Sequence, residues 1–300
     1  MKLVKLAPLA LAIAAVPAFA GTPINQTRPL AADGSVSIEN IKGRIVVRTW
    51  AQPQVRITGT LGKGAEKLEV DGDGRDLSIE VKYPDRRNGW GWNRNEMEPT
   101  ILEITVPQKA SLDIESVSAE VDVQQIAGRK LDVSSVSGNI VVTASSPGEA
   151  SFENVSGNTT LRITTDNVSA ESVSGDINMQ GGLSGRVSME TVSGNASLIA
   201  KTLSKLQFSS VSGDADVQAA LATNGVVTGE TVSGTLRLSL PKTTSAQLSI
   251  ETFSGDINSP VGKVDREEYG PGKSLDARLG QGQGKIRLES FSGDVDLELK

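Results

Sequence analysis

One five-residue phrase recurs along this chain, and its glycine returns at so regular an interval that few folds can accommodate it. Ser135-Val136-Ser137-Gly138-Asn139 reappears as Asn154 to Asn158, Ser172 to Asp176, Thr191 to Asn195, Ser210 to Asp214, Thr231 to Thr235, Thr252 to Asp256 and Ser290 to Asp294. Successive glycines from Gly138 to Gly255 step by 19, 18, 19, 19, 21 and 21 residues. The last step, Gly255 to Gly293, is 38, two periods with one motif lost or replaced by an insertion. Ser116 to Glu120 is a degenerate copy, and Asn40 to Arg44 a distant first member. A unit this short cannot bury its own apolar side, whereas stacked units share one continuous core.

Alignment on the glycine assigns the inward columns. Seven residues before it stand Leu112, Leu131, Ala150, Val168, Val187, Leu206, Val227, Leu248 and Ile286, and five before it mostly Ile, Val, Phe, Met or Leu. Two before it is Val, ending in Phe253 and Phe291; two and four after it come pairs such as Ile140 and Val142 or Leu236 and Leu238. This is the period-two alternation of short strands, rich in β-branched residues. The phase changes between positions five and two before the glycine, so a bend or bulge is expected there. On this reading the valine column faces the core, and Val192→Asp should be severely destabilising. Ser-Gly-Asn/Asp supplies the turn. The fold predicted is all-β: a parallel β-solenoid (β-helix) of about ten ~19-residue coils over residues 111–300, stacked ~4.8 Å apart. An antiparallel sandwich of the same units is the competitor. An aromatic content of 3% suits a narrow interior. Residues 21–110 form a less regular N-terminal β region that caps or starts the stack, and Asp71-Gly72-Asp73-Gly74 reads as a hairpin turn.

Residues 1–20 read as a cleavable signal peptide: Lys2 and Lys5, an apolar run from Leu6 to Val16, then Ala18-Phe19-Ala20 ahead of Gly21. Export is therefore expected, to the periplasm first, with the exterior or the cell surface as alternatives. The mature chain has no segment apolar and long enough to span a bilayer. Of 30 Lys and Arg, 28 remain after removal of Lys2 and Lys5, against 36 Asp and Glu, so the mature charge is −8. That balance argues against nucleic acid as a partner. With no His and no Cys, the chain has no Ser-His-Asp triad, thiolate nucleophile, disulfide or His/Cys metal site.

The repeated Val-Ser-Gly-Asp/Asn signature behind a signal peptide resembles a bacterial family of unknown function named putative adhesin, a β-strand-repeat domain. The resemblance covers roughly residues 35–300. It implies an exported or envelope-associated β-repeat protein and brings no catalytic residues with it.

Two features are candidate sites. Four residues before the glycine runs a column of glutamates, including Glu153, Glu171 and Glu190, and one after it Asp176 and its counterparts. Oxygen ligands of this kind suit calcium, but a structural, solubilising surface is the reading preferred, because Asn alternating with Asp dilutes the turn charge. The second is the loop at 83–99, where Trp90 and Trp92 sit among Arg86, Arg87 and Arg94. Indole faces and guanidinium groups fit an anionic glycan or an acidic envelope partner; alternatively, the indoles cover the open end of the stack. The function expected is a non-enzymatic envelope protein presenting an extended surface for binding, adhesion or scaffolding, without a cofactor. A carbohydrate-active enzyme on a β-helix and a calcium-stabilised rod are the alternatives.

Overall fold

The computed structural model describes residues 21–84 and 97–300. Among them every regular element is a strand, 23 in all, joined in one continuous and mostly parallel sheet. Strands preceding the glycines form one ladder, in which Leu112, Leu131, Ala150, Val168, Val187, Leu206 and Val227 follow one another in register. Strands following the glycines form a second, through Val121, Ile140, Thr159, Ile177, Ala196, Ala215 and Leu236. Register partners therefore stand one repeat apart, and the chain climbs in a solenoid-like stack. The antiparallel competitor is excluded for these rungs, because every one of these pairs is parallel. The same parallel register reaches back into Ser35–Trp50, whose Val36 pairs with Leu112.

Each corner is built from hydrogen bonds that the motif residues supply. The side chain three before the glycine is buried, and at Gly138, Gly157, Gly175, Gly194, Gly255 and Gly293 it accepts the glycine N–H, as in Gly175 N to Ser172 Oγ at 2.9 Å and Gly157 N to Asn154 Oδ1 at 3.1 Å. The hydroxyls of Ser172, Thr191 and Ser210 also donate to the glycine carbonyl, at 2.7, 3.0 and 3.0 Å. The serine just before the glycine donates its hydroxyl to the preceding rung, Ser156 Oγ to Val136 O at 3.1 Å. The Asn or Asp just after it accepts the backbone N–H of the next rung, giving a chain from Asn139 through Asn158, Asp176, Asn195 and Asp214 to Thr235. Glycine stacks on glycine: a Cβ at Gly175 would fall inside the contact distance of Gly157 O.

These bonds overturn one expectation. The valine column does not face the core. Inward alternation continues through the position three before the glycine, so Ser, Thr or Asn fills that inward slot and the next two residues both point outward. The phase change sits at the corner itself, one step later than the hydrophobic pattern suggests. Val192→Asp therefore puts its charge on the surface and not in the core.

The core is one cluster running the length of the stack. Its column five before the glycine sets small residues beside large ones: Phe152 pairs with Ala170, which pairs with Met189, then Phe208 and Gly229. The Phe208 ring occupies the space a Cβ on Gly229 would need.

Both ends depart from simple stacking order. At the C-terminal end, Gly284–Ser290 and Val295–Leu299 lie between the rung of Val226 to Leu240 and the rung of Ala246 to Asn258. The long Gly255–Gly293 step is thus not a missing coil. The chain first lays down the outermost rung, runs through the antiparallel strand Lys273–Leu279, and returns to insert its last rung beneath. The N-terminal end uses the same device: Ser35–Trp50 is flanked by Ser111–Gln124 on one side, and by Asp76–Lys82 and Thr100–Pro107 on the other. Antiparallel strands Lys67–Gly72, Gln54–Leu61 and Thr22–Pro29 cover that end. The expected hairpin turn is present, with Asp73 Oδ1 accepting the N–H of Arg75 and of Asp76. In this way the first and last rungs in sequence have both edges paired.

The packing of Phe208 over Gly229 gives a direct check. Gly229→Ala should cost about 1–3 kcal/mol by overpacking. In a Phe208→Ala background, itself about 3–5 kcal/mol less stable, the same change should be neutral or stabilising because the new methyl enters vacated space. Urea denaturation of the four proteins measures the coupling.

Candidate functional site

Two outward columns run side by side along the ladder that precedes the glycines. The first is apolar. In stacking order it is Ile41, Val117, Val136, Val155, Val173, Val192, Val211, Val232, Phe291 and Phe253, each 40–58% exposed. Phe253 and Phe291 close it as a stacked pair, with ring centroids 5.0 Å apart. Parallel register aligns like with like, so a residue repeated at one position becomes an unbroken stripe with a ~4.8 Å repeat.

The second column is acidic: Glu80, Glu39, Glu115, Ser134, Glu153, Glu171, Glu190, Ser209, Glu230, Glu289 and Glu251. Lys82 pairs with Glu80 and Arg287 with Glu289, near the two ends. Among the described residues no salt bridge reaches Glu153, Glu171 or Glu190. Partial burial, with Glu190 and Glu153 on either side, raises the Glu171 carboxyl above the ordinary carboxylate range. Burial together with Glu80 and Glu115 does the same at Glu39.

Between the columns lies a groove of about 690 Å³ that extends from Glu39 and Ile41 to Ser209 and Val211. One wall is the glutamate row and the other the valine ridge; the buried Ser, Thr and Asn side chains of the corners lie between them. The groove is open along its length and repeats the same chemistry at every rung but those of Ser134 and Ser209. That suits an elongated occupant better than a compact one.

Glu153, Glu171 and Glu190 are adjacent in this groove, whereas Asp176 lies outside it, in the turn ladder with Oδ1 accepting the Asn195 N–H. Among the described residues no three acidic side chains are grouped so as to hold a metal ion. Trp90, Trp92, Arg86, Arg87 and Arg94 lie outside the described residues. The residues that flank them are placed: Tyr83 donates its hydroxyl to Asn40 Oδ1, and Met97 O accepts from Lys42 Nζ at 2.8 Å. Both contacts are at the first corner of the ridge. The exposed ridge is what reading by hydrophobicity misses. The signal for it is the invariably polar position beside it, which keeps strict parity with the inward columns.

The glutamate row makes a prediction with a definite sign. A carboxyl whose pKa is raised by folding binds protons more tightly in the native state, so stability rises as pH falls from neutral into the window just above the ordinary carboxylate range. Glu171→Gln should therefore raise the melting temperature at neutral pH, and the gain should disappear once the pH is low enough to protonate Glu171 in both states. Val192→Thr, on the ridge, should change stability by no more than about 0.5 kcal/mol. Thermal melts across pH check both.

A family model described as Toastrack DUF4097 matches residues 34–298. Among solved structures, one titled putative lipid binding protein from Parabacteroides distasonis is 15% identical, covering 92% of this chain and 97% of its own, with a TM-score of 0.51. One titled putative adhesin from the same organism is 14% identical over 93% of this chain and 98% of its own, at 0.43. Among curated proteins, none matches. At these identities the first likeness establishes the fold and nothing further.

Proposed function

The chain belongs to the Toastrack DUF4097 family, and from its geometry we propose an exported, non-enzymatic envelope protein that uses the ridge and groove as a binding face. The observation that carries this reading is the apolar ridge itself, ten residues long and 40–58% exposed. Monomeric soluble proteins rarely leave contiguous apolar surface of that extent uncovered unless it meets a partner. Export is supported by the pattern of residues 1–20, which lie outside the described residues. Among the described residues the first strand begins at Thr22, immediately beyond the expected cut.

The non-enzymatic reading rests on periodicity. A general acid and base require two groups in different environments, so that their protonation states separate. The carboxylates of the groove repeat from rung to rung, and the neighbours of Glu171 are carboxylates like itself. A binding or scaffolding face uses such repetition directly, because many weak contacts along one line sum to a specific interaction.

The test is residue-specific photo-crosslinking in a bacterium with two membranes, using the full chain with residues 1–20 in place. A photoreactive residue at Val173 samples the ridge; one at Asn178 samples the outward surface of the other ladder. The expected result is a periplasmic chain beginning at Gly21, with crosslinked products from position 173 and none from 178. Cytoplasmic retention of the unprocessed chain would overturn export. Equal products from both positions, or none from either, would overturn the ridge as a binding face.

A further inference from the structure

We infer that the groove receives a cationic amphipathic α-helix of a partner protein, laid along the stack with its apolar stripe on the valine ridge and its Lys or Arg residues along the glutamate row. This inference rests on the proposed binding face and specifies its occupant.

Charge selects among occupants first. Glu153, Glu171 and Glu190 form consecutive rungs of one groove wall, with no basic partner among the described residues. A second copy of this chain would bring another such row against the first, and the mature charge of −8 opposes it further. An anionic lipid surface meets the same repulsion. A segment carrying positive charge beside an apolar stripe complements both walls at once.

Repeat length then selects the conformation. Rungs are spaced ~4.8 Å apart. An α-helix returns a side chain to the same face every ~5.4 Å, so successive turns keep pace with successive rungs and drift by about 0.6 Å per rung. An extended strand returns to the same face only every ~6.6–6.8 Å and falls out of step after two rungs. A polyproline helix, at ~9.3 Å per turn, meets every second rung and leaves alternate glutamates unpaired. From Ile41 to Val211 the groove crosses seven rungs, about 29 Å, which corresponds to roughly 19 helical residues. Over that length the accumulated drift is about 3.6 Å, less than one rung, which long Lys and Arg side chains absorb.

The rigidity of the groove adds to this. Its walls are side chains of a hydrogen-bonded ladder, continuous through the corners: Val155 N donates to Ser135 O at 3.0 Å, and Val173 N to Asn154 O at 3.1 Å. A preformed groove of this kind leaves most of the ordering cost to the partner helix.

The experiment uses the mature chain, residues 21–300, and a fluorescently labelled 20-residue Leu/Lys peptide with leucines at helical spacing and lysines along one flank. Fluorescence anisotropy should show saturable binding that weakens with salt. The triple variant Glu153→Gln, Glu171→Gln, Glu190→Gln should lose about tenfold or more in affinity and most of the salt dependence, since three ion pairs vanish together. The triple variant Val155→Thr, Val173→Thr, Val192→Thr keeps branched side chains and should remain folded by circular dichroism. It should lose about tenfold in affinity while retaining the salt dependence. Equal binding of a peptide with the same composition in scrambled order, or unchanged binding by either variant, would overturn the inference. So would tight binding to anionic phosphatidylglycerol vesicles, or self-association in sedimentation that the valine variant abolishes. Failure of the peptide with crosslinks still arising from Val173 would reject the helix alone; loss of both would reject the binding face as well.

Discussion

Six corners of this protein, at Gly138, Gly157, Gly175, Gly194, Gly255 and Gly293, are closed by one small clip, in which a buried Ser, Thr or Asn side chain holds the backbone N–H of the glycine three residues later. The distances are similar from rung to rung, 3.0 Å at Gly138, 3.0 Å at Gly194 and 2.8 Å at Gly293. A polar side chain inside a core of Val, Ile and Leu is costly unless it is hydrogen-bonded, and here the turn provides the partners. The clip requires glycine at its far end, because the carbonyl of the rung below lies where a Cβ would be. Repeated in register, these two requirements hold the rungs together, and everything on the surface inherits their spacing. The ridge and the acidic row are consequences of that alignment. Two outward positions of a repeated sequence must become two parallel stripes.

How much of this was legible in the sequence follows from what repetition can encode. The columns seven before the glycine and two and four after it are read correctly from alternation, and structure places Leu131, Ile140 and Val142 in the core. The small residue Gly229 in the column five before it looks like noise until Phe208 is seen filling its space, and Ala170 likewise stands beside Phe152. The valines were misleading because hydrophobicity alone cannot distinguish a buried valine from one exposed on a ridge. Parity could have done so, since −7, −5 and −3 share one face and the residue at −3 is always able to hydrogen-bond. The order of rungs at the ends was not legible at all. Nothing local in Gly284 to Leu299 says that it pairs with Val226 on one side and Ala246 on the other. Such placement is a property of the whole stack.

The end devices have an energetic logic. A rung at the end of a stack has one unpaired edge and is where fraying and edge-to-edge association begin. Here the first and last rungs in sequence are held between neighbours. The outermost positions go to rungs tied into the chain on both sides and covered by antiparallel strands. The second ladder ends in a strand of only two residues, Ile257–Asn258, soon followed by Pro260, which cannot donate a hydrogen bond to another strand. That end of the stack is therefore terminated by construction.

The glutamate row is not explained by that need. Charges that block strand association belong on edges, and Glu153, Glu171 and Glu190 sit on strands paired on both sides. Nor does the fold require glutamate there. Ser134 and Ser209 occupy the same position in the same register. Each adjacent pair of like charges costs less than about 1 kcal/mol in a medium near the dielectric of water, so the row is tolerable, yet it remains a cost that serine avoids. The carboxyls respond as expected, with burial and neighbouring charge raising Glu171 and Glu39. Lys82 and Arg287 relieve the row near its two ends, whereas among the described residues no basic side chain pairs with Glu153, Glu171 or Glu190 in the middle rungs. A surface that keeps uncompensated charge beside uncovered valine forgoes stability on both counts, and a cationic, apolar partner is the kind of ligand that restores both.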